Sequence, residues 1–574
     1  MNSYENTFGI VGYFTPPSIK AEDSENRHFL AYRLPSNTIR SDTGLLSGFN
    51  GQKVAVDGYA SPGFYHKINL LITDKNLKSS EVGTKLLELI SEEDYSLSLA
   101  YISPHDNNFL IAADRTGSQS LYYSTPISQK IFFGTDIRLI LYHNKNLLKI
   151  DQASVLTRLL IGYPLLDDTL FQNIKQLEPG EYIWHQGNRL LRGFHWKPIK
   201  KTALNDEEVI PEAKKVLKQI FSFLTNEEDY VLTLSGGSDS RFLLAAMIFS
   251  GYNPAICSFG RKSSLAISIS EEIANKFKLE YQKIILNKKF LSDLAENAVE
   301  ISSLSMGMLN WNYAHALGVL KSITPFSKLL ISGSWAWDTR GKWEKGFSFM
   351  EKDGKHWQLE DFCSFDDWKD LIATDFIEES KEKINRSLQR AEERYKSIES
   401  SERAKVFAAN HKNMKRMGPL TYTISAFVQP FYPLHSKSWI EFSLSLPDAY
   451  NRNEKLIWDF IKESIPDLME FERDYRGISI SSGYNPISWL THSIALKIGV
   501  GEKPKLPTDY GKWTGKYLRL SMKEIWNNIG PGYGWILNKE FINKVLDKEE
   551  MCLKYSKQLN RIFSLLSFLQ NISS

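Results

Sequence analysis

The segment Tyr230-Val-Leu-Thr-Leu-Ser-Gly-Gly-Ser-Asp-Ser-Arg241 joins an apolar run to a glycine pair and then to a second apolar run, Phe242-Leu-Leu-Ala-Ala-Met247. The pattern predicts a short buried strand over Val231 to Leu234 and a turn over Ser235 to Ser238. A helix then runs through Phe242 to Met247, with Asp239 and Ser240 near its N-terminus. The first amides of a helix lack internal partners and the macrodipole is positive there, so N–H groups from Gly236 and Gly237 onward converge on an anion. Glycine lets the backbone approach a phosphate that a Cβ would hold away. A bare Gly-Gly pair would read as an ordinary strand-loop-helix crossover capped by Ser or Asp. Ser, Gly-Gly, Asp and Ser at this spacing favour phosphate binding.

The surrounding elements must hold that loop at a sheet edge. Residues 1 to about 195 read as β-rich, with short strands at Phe8 to Tyr13, Tyr95 to Tyr101, Phe109 to Ala113 and Lys130 to Gly134. From about residue 205 the pattern changes. An amphipathic helix over Glu207 to Thr225 is followed by strands alternating with helices to about residue 335, which predicts an α/β unit with a mainly parallel sheet. Residues from about 355 are read as mostly helical, ending in polar, basic helices, and the polar stretch Lys197 to Asp206 as a linker. The expected domains are therefore 1–197 and 207–574.

The chain has 574 residues, 70 basic and 67 acidic, for a net charge of +3, so no global field favours nucleic acid. Lys412-Asn-Met-Lys-Arg416 reads as a solvated helix face. Three widely separated cysteines, Cys257, Cys363 and Cys552, argue against a disulfide framework or a cysteine zinc site, and the histidines show no metal-ligand spacing. The N-terminus has no basic cluster with a long apolar region, and no apolar run reaches membrane-spanning length. The expected location is cytoplasmic.

The Ser235-to-Ser240 segment resembles the SGGxDS loop of the PP-loop ATP pyrophosphatases, which split ATP into AMP and pyrophosphate while adenylating a substrate. No Walker A pattern occurs. The order of a β-rich first half and then this loop is similar to asparagine synthetase, a class II glutamine amidotransferase joined to a synthetase. Asp114-Arg-Thr-Gly-Ser-Gln-Ser-Leu-Tyr-Tyr123 resembles that family's DRxGxxPLYY segment, Phe133-Gly-Thr-Asp-Ile-Arg138 its FASEIK step, and Leu177-Glu-Pro-Gly-Glu-Tyr182 its LPPG turn. Pro433-Leu-His-Ser-Lys-Ser-Trp-Ile-Glu-Phe442 with Leu446-Pro447 resembles PFLDxxxxEFxxxLP. The resemblance implies an N-terminal Ntn-hydrolase-like αββα domain, then an adenine-nucleotide α-hydrolase-like (PP-loop) parallel-sheet domain with a helical C-terminal part. ATP would contact Leu234, Ser235, Gly236, Gly237, Asp239, Ser240, Ser258, Phe259, Gly260, Ser332 and Gly333, and Mg2+ would lie near Asp239 and Asp338.

Three departures qualify it. Glutamine-using members begin Cys-Gly-Ile, the cysteine being the nucleophile. Here Phe8 precedes Gly9-Ile10, no cysteine occurs before Cys257, and processing after Met1 would expose Asn2, so no glutaminase activity is expected. Second, the family's SGxG(A/G/S)DE loop is replaced by Ser332-Gly-Ser-Trp-Ala-Trp-Asp338. Either the loop is rebuilt around another substrate or Asp338 serves with a one-residue shift, and Trp335 and Trp337 suit packing or an aromatic partner. Third, the RxKxG lysine is replaced in Arg473-Asp-Tyr-Arg-Gly-Ile478, where Tyr475 takes its place and Arg476 can still supply charge but not act as a base. Lys455 is a further basic candidate; Arg476 and Lys455 each also fit a purely structural role.

The resemblance thus implies an ATP-dependent, AMP-forming ligase that adenylates a carboxylate and joins it to an amine without glutamine hydrolysis. In this it is similar to β-lactam synthetase or the lasso-peptide cyclases of natural-product or modified-peptide biosynthesis. An asparagine synthetase using ammonia and a non-catalytic nucleotide-binding protein remain the alternatives. The partners implied are small-molecule or peptide carboxylates and amines, a precursor peptide or pathway enzyme, and a second copy in a homodimer; nucleic acid and membrane are excluded.

Overall fold

The protein is described from a computed structural model covering residues 9–14, 28–33, 44–61, 63–125, 130–186, 189–224, 230–337, 344–352, 354–451, 454–471 and 507–573. The first half builds two antiparallel sheets. One has the order β11-β10-β6-β5-β4-β3, from β3 (Leu45–Ser47), β4 (Lys53–Gly58), β5 (Leu97–Ser103), β6 (Asn108–Ala112), β10 (Glu181–Gln186) and β11 (Arg189–Phe194). The other has the order β2-β1-β8-β7-β9, from β1 (Gly9–Phe14), β2 (His28–Arg33), β7 (Tyr122–Ser124), β8 (Ile131–Gly134) and β9 (Ile174–Gln176).

Period-two alternation explains the layering, because successive strand side chains face opposite ways. Leu97, Leu99 and Tyr101 of β5 pack with Val54, Val56, Leu110 and Ala112 against α1 (Phe64–Thr73) and α2 (Ser79–Glu92). Ala100 and Ile102 face the other way, packing with Phe109 and Ile111 against Ile10, Phe14 and Phe133 of the second sheet. The second sheet's outer face buries Tyr122 and Phe132 with α3 (Ile137–His143) and α4 (Gln152–Leu160). The result is a helix-sheet-sheet-helix sandwich.

The second half builds one parallel sheet in the order β14-β13-β12-β15-β16. Its strands are β12 (Tyr230–Thr233), β13 (Ala255–Gly260), β14 (Tyr281–Ile285), β15 (Leu329–Ile331) and β16 (Gln429–Phe431). α5 (Asp206–Phe221) leads into β12, and α6 (Ser238–Phe249) and α7 (Leu265–Phe277) make the crossovers from β12 to β13 and from β13 to β14. From Phe242 to Met247 α6 is apolar and fully buried, because both the sheet and the helix Lys455–Ser464 cover it.

Three expectations need correction. Lys412 to Arg416 is not a solvated face: Asn413, Met414 and Lys415 are buried, because the Lys415 ammonium finds the Asp168 carbonyl and Gln176 Oε1 inside the protein. The sheet does not end near residue 335, since Gln429–Phe431 supplies a fifth strand paired with β15; three residues containing a proline carry no readable strand period. The chain also does not end in polar, basic helices. Its last helix, Ser556–Ser573, buries Leu559, Ile562, Phe563, Leu566 and Leu569 in the core, and Phe568 packs edge-on against Phe171 of the first half at 6.3 Å. Among the described residues no helix is long and apolar enough to cross a membrane.

A buried ion pair ties the halves together. Arg138 and Asp136 have fully buried side chains 2.6 Å apart, Tyr422 donates to the same carboxylate at 2.6 Å, and Arg138 reaches Ser303 Oγ at 3.0 Å. Removing one partner strands the other charge in low dielectric. Asp136→Ala is therefore expected to lower stability by about 3–5 kcal/mol, read as a fall in the urea midpoint.

Candidate functional site

Strand order in the parallel sheet reverses between β12 and β15, whose following loops part to opposite sides, and ligands of open α/β sheets bind in the crevice outside the strands' carboxyl ends at such a point. The Ser235-to-Ser240 loop leaves β12 there. Leu234 fixes its root: its N–H donates to Cys257 O at 2.8 Å and its carbonyl accepts from Ser270 Oγ at 3.0 Å. Ser235 is exposed, and Gly236 adopts φ +77, a left-handed value that a Cβ would strain. Gly237 is the N-cap of α6, and Asp239 lies in its positive first turn.

Side chains stiffen the loop. Ser235 N–H donates to Ser240 Oγ at 3.2 Å, the two hydroxyls lie 3.3 Å apart, and Gly237 N–H donates to Ser235 Oγ at 3.2 Å. Beneath it Arg241, fully buried, donates to the Gly236 carbonyl at 2.9 Å and to the carbonyls of Leu468 and Phe471 at 3.3 and 3.0 Å. That grip draws the Gly236 carbonyl inward and places a guanidinium under the cradle, where low dielectric magnifies its attraction for an anion.

The β13 edge supplies the next wall. Ser258 Oγ hydrogen-bonds Tyr281 OH at 2.7 Å, and the Phe259 ring lies 5.5 Å from that of His315, whose pKa burial pushes down to about 4. A Cβ on Gly260 would stand 2.4 Å from Ser264 Oγ and 3.2 Å from Pro507 Cβ. The chain returning at Pro507 covers this edge: Arg261 N–H donates to Pro507 O at 3.0 Å, and its guanidinium pairs with Asp509 at 3.1 Å.

The loop after β15 forms the opposite wall. Ser332 N–H donates to Phe431 O at 3.1 Å, and a Cβ on Gly333 would lie 3.2 Å from the carbonyl carbon and oxygen of Asp239. Trp335 Nε1 donates to Asp239 Oδ1 at 3.1 Å. Trp335 and Trp337 are buried, Trp335 stacking on Phe242 with centroids 5.5 Å apart, so both serve packing and neither offers a ring to a ligand. Lys412 donates to the Trp335 carbonyl at 3.1 Å, and Asn413 Nδ2 to that of Ala336 at 2.8 Å.

The eleven residues expected to hold nucleotide thus lie at the carboxyl ends of three adjacent strands. Lys455 is engaged elsewhere: it pairs with Asp459 and sits 3.8 Å over the Tyr450 ring. Its burial lowers the pKa, but these contacts outweigh that and raise it. Asp338, Tyr475, Arg476 and Phe8 lie outside the described residues. Among the described residues no cluster of His, Cys, Asp or Glu is suited to a metal ion. Cys257 is buried with its thiol pushed up to about 12, in keeping with a structural role.

Sequence reasoning missed the Arg241 grip and the Trp335–Asp239 contact. A lone charge in the apolar helix after the glycine pair was the available signal for Arg241; Trp335 had none, since nothing local says which carboxylate an indole will meet.

Residues 81–196 match the model of a glutamine amidotransferase domain. No curated protein matches the chain. One similar solved structure is glutamine phosphoribosylpyrophosphate amidotransferase from B. subtilis complexed with ADP and GMP: 10% identity, 48% of this chain and 60% of that one covered, TM-score 0.18. Another is described as the allosteric regulatory enzyme of purine biosynthesis: 9% identity, 49% of this chain and 75% of that one covered, TM-score 0.20. This chain thus spans 60% of the first structure's length, and TM-scores this low support no argument from either superposition. The match over 81–196 stands by itself, and it identifies that part of the chain as a glutamine-amidotransferase-like domain.

Proposed function

We propose that the protein is an ATP-dependent, AMP-forming ligase that adenylates a carboxylate and passes the acyl group to an amine, without hydrolysing glutamine. The observation that carries this reading is the Ser235-to-Ser240 loop at the switch point of the parallel sheet, gripped from below by Arg241. The residues fit a nucleotide. Gly236 adopts a left-handed conformation that favours glycine, and the first-turn amides of α6 suit a pyrophosphate. ATP bound there supplies the activating group, and Mg2+ would neutralise the departing pyrophosphate, with Asp239 as its candidate ligand in this loop and Asp338 as a second candidate.

In this reading the domains are 1–197 and 207–574. The first supplies the amide-related ancestry that residues 81–196 share with glutamine amidotransferases. That match begins after residue 80, so it leaves out the position where the nucleophile would stand, and Phe8 precedes Gly9 there. The amine is therefore external or part of the substrate. Arg476 is the candidate for stabilising the charge that develops as the amide forms, with Tyr475 beside it. The expected partners remain a small-molecule or peptide carboxylate, an amine, and in a peptide pathway the precursor peptide.

Incubation with MgATP and a pooled set of carboxylates, aspartate included, is expected to release AMP, and Ser235→Ala or Asp239→Ala to lower that release by about 100-fold or more. Equal release from the parent and both variants would refute the role given to the loop.

A further inference from the structure

The Asp114-to-Ser120 turn of the first domain makes a hydrogen-bonded path to the wall of the candidate nucleotide site. Asp114 is fully buried and accepts from Thr116 N–H, Ser118 Oγ and Gln119 N–H at 2.9, 3.0 and 2.9 Å. Its Oδ2 also accepts from Thr116 Oγ1 at 2.9 Å. Thr116 Oγ1 lies 3.4 Å from His435 Nδ1, and His435 Nε2 lies 3.3 Å from Ser334 Oγ, beside Gly333 and Trp335. His435 is 1% exposed.

Directions follow from the donors available. The Thr116 hydroxyl has one proton, which goes to the Asp114 carboxylate at 2.9 Å or to Ser118 Oγ at 2.8 Å, itself in reach of that carboxylate; either way it accepts toward His435 and Nδ1 carries the hydrogen. Nε2 of the neutral ring is then an acceptor. The Ser334 hydroxyl has a choice between it and Met417 Sδ at 3.4 Å, and an imidazole nitrogen is much the better acceptor. The path runs Ser334 to His435 to Thr116 to Asp114.

A serine donating to a histidine that is oriented by a carboxylate also suggests a nucleophile and its base. Burial, reinforced by Lys412, pushes the His435 pKa down to about 3, leaving the imidazole too weak a base to take a serine proton near neutral pH. Holding the loop is what the arrangement can do.

We propose that Thr116, His435 and Ser334 form a positioning bridge by which the first domain sets the loop after β15, and through it Asp239, for nucleotide binding. This deepens the proposed function and rests on it. The linkage past Ser334 is short: Gly333 abuts the Asp239 carbonyl and Trp335 holds its side chain. A second route braces the same loop. The π-helical turn Asn413–Met417 follows Lys412, and Asn413 holds Ala336 O. Gln176 Nε2 donates to Met414 O at 3.1 Å, and buried Lys415 donates to Asp168 O at 2.7 Å and Gln176 Oε1 at 3.0 Å. The amidotransferase-like domain has therefore become a brace for the synthetase loop.

The test compares the full-length parent with Thr116→Val, Thr116→Ser and His435→Asn in two readouts. One is amide hydrogen exchange over residues 332–337; the other is MgATP affinity by calorimetry. Thr116→Val keeps shape and removes the hydroxyl, Thr116→Ser restores it, and Asn at 435 reaches only the Thr116 end. Faster exchange over 332–337 and about 5- to 10-fold weaker MgATP binding are expected in Thr116→Val and His435→Asn but not in Thr116→Ser. Unchanged exchange in Thr116→Val overturns the bridge whether or not nucleotide binds. Faster exchange with unchanged affinity overturns its role in nucleotide binding. A parent that binds no MgATP defeats the proposed function separately, with exchange still deciding whether the bridge exists. If His435→Asn fails to fold, the threonine pair decides alone.

Discussion

Acidification below pH 6.5 is expected to destabilise the fold steeply, by roughly 3 kcal/mol per pH unit from two buried histidines alone. Burial pushes both His411 and His435 from 6.5 to about 3, and both side chains are out of solvent. His411 is locked neutral by its partners. Nε2 accepts from Leu166 N–H at 3.0 Å and Nδ1 donates to Phe407 O at 3.1 Å, with the ring stacked on Phe407 at 3.7 Å. A second proton would set N–H against N–H. Between pH 6.5 and about 3 the unfolded chain binds these two protons and the native state does not. Stability therefore rises with pH across that window, is lost as pH falls through it, and stops falling once the native rings protonate. His195 and His315, pushed to about 4 by burial but only partly shielded from solvent, add destabilisation of the same sign over the narrower window from 6.5 to about 4. A loss of about 5 kcal/mol by pH 4.5 rivals the whole stability of an ordinary domain. Urea midpoints at pH 7.5, 6 and 5 measure it. A midpoint that held steady over that range would show the imidazoles to be accessible.

The second large effect is expected from one methyl group. Gly333→Ala sets a Cβ 3.2 Å from the Asp239 carbonyl carbon and oxygen, and those are backbone atoms that cannot rotate aside. The loops after β12 and β15 must separate, costing about 1–3 kcal/mol as overpacking and stretching the Trp335–Asp239 hydrogen bond. The shift needed is a few tenths of an ångström, less than the ~1 Å misplacement that costs about 100-fold in rate, so AMP release is expected to fall by about 10-fold while the protein stays folded. Gly532→Ala, where nothing lies within 4 Å of the added carbon, is the control expected to change neither rate nor stability. Equal rates for the two variants would mean that the β15 loop does not form a wall of the site.

Much of the architecture was legible because it is local. The short strand-forming runs expected at 95–101 and 109–113 between turn signals, and the glycine pair after an apolar strand, each state their own conformation, and strands and helices fell close to the expected places. What escaped was non-local. Gln429–Phe431 is a strand only because β15 lies beside it. The helix Ser556–Ser573 mixes Lys557 and Arg561 with apolar residues, yet Arg561 turns its guanidinium to the carbonyls of Leu159 and Leu160 at 3.0 and 2.7 Å, leaving the apolar faces to the core. The Asp114 turn was visible as a motif but not as a connection, since the Thr116–His435 contact spans 319 residues of sequence. In the candidate site, chain-local residues such as Ser235, Gly236 and Asp239 were readable, and the residues that hold them in place were not.

The most direct measurement is the identity of the nucleotide product, followed by phosphorus NMR with MgATP, the pooled carboxylates and hydroxylamine as a general amine acceptor. AMP and pyrophosphate in equal amounts, dependent on a carboxylate and lost in Asp239→Ala, is the predicted result. ADP with inorganic phosphate, or AMP formation indifferent to Asp239, would contradict it.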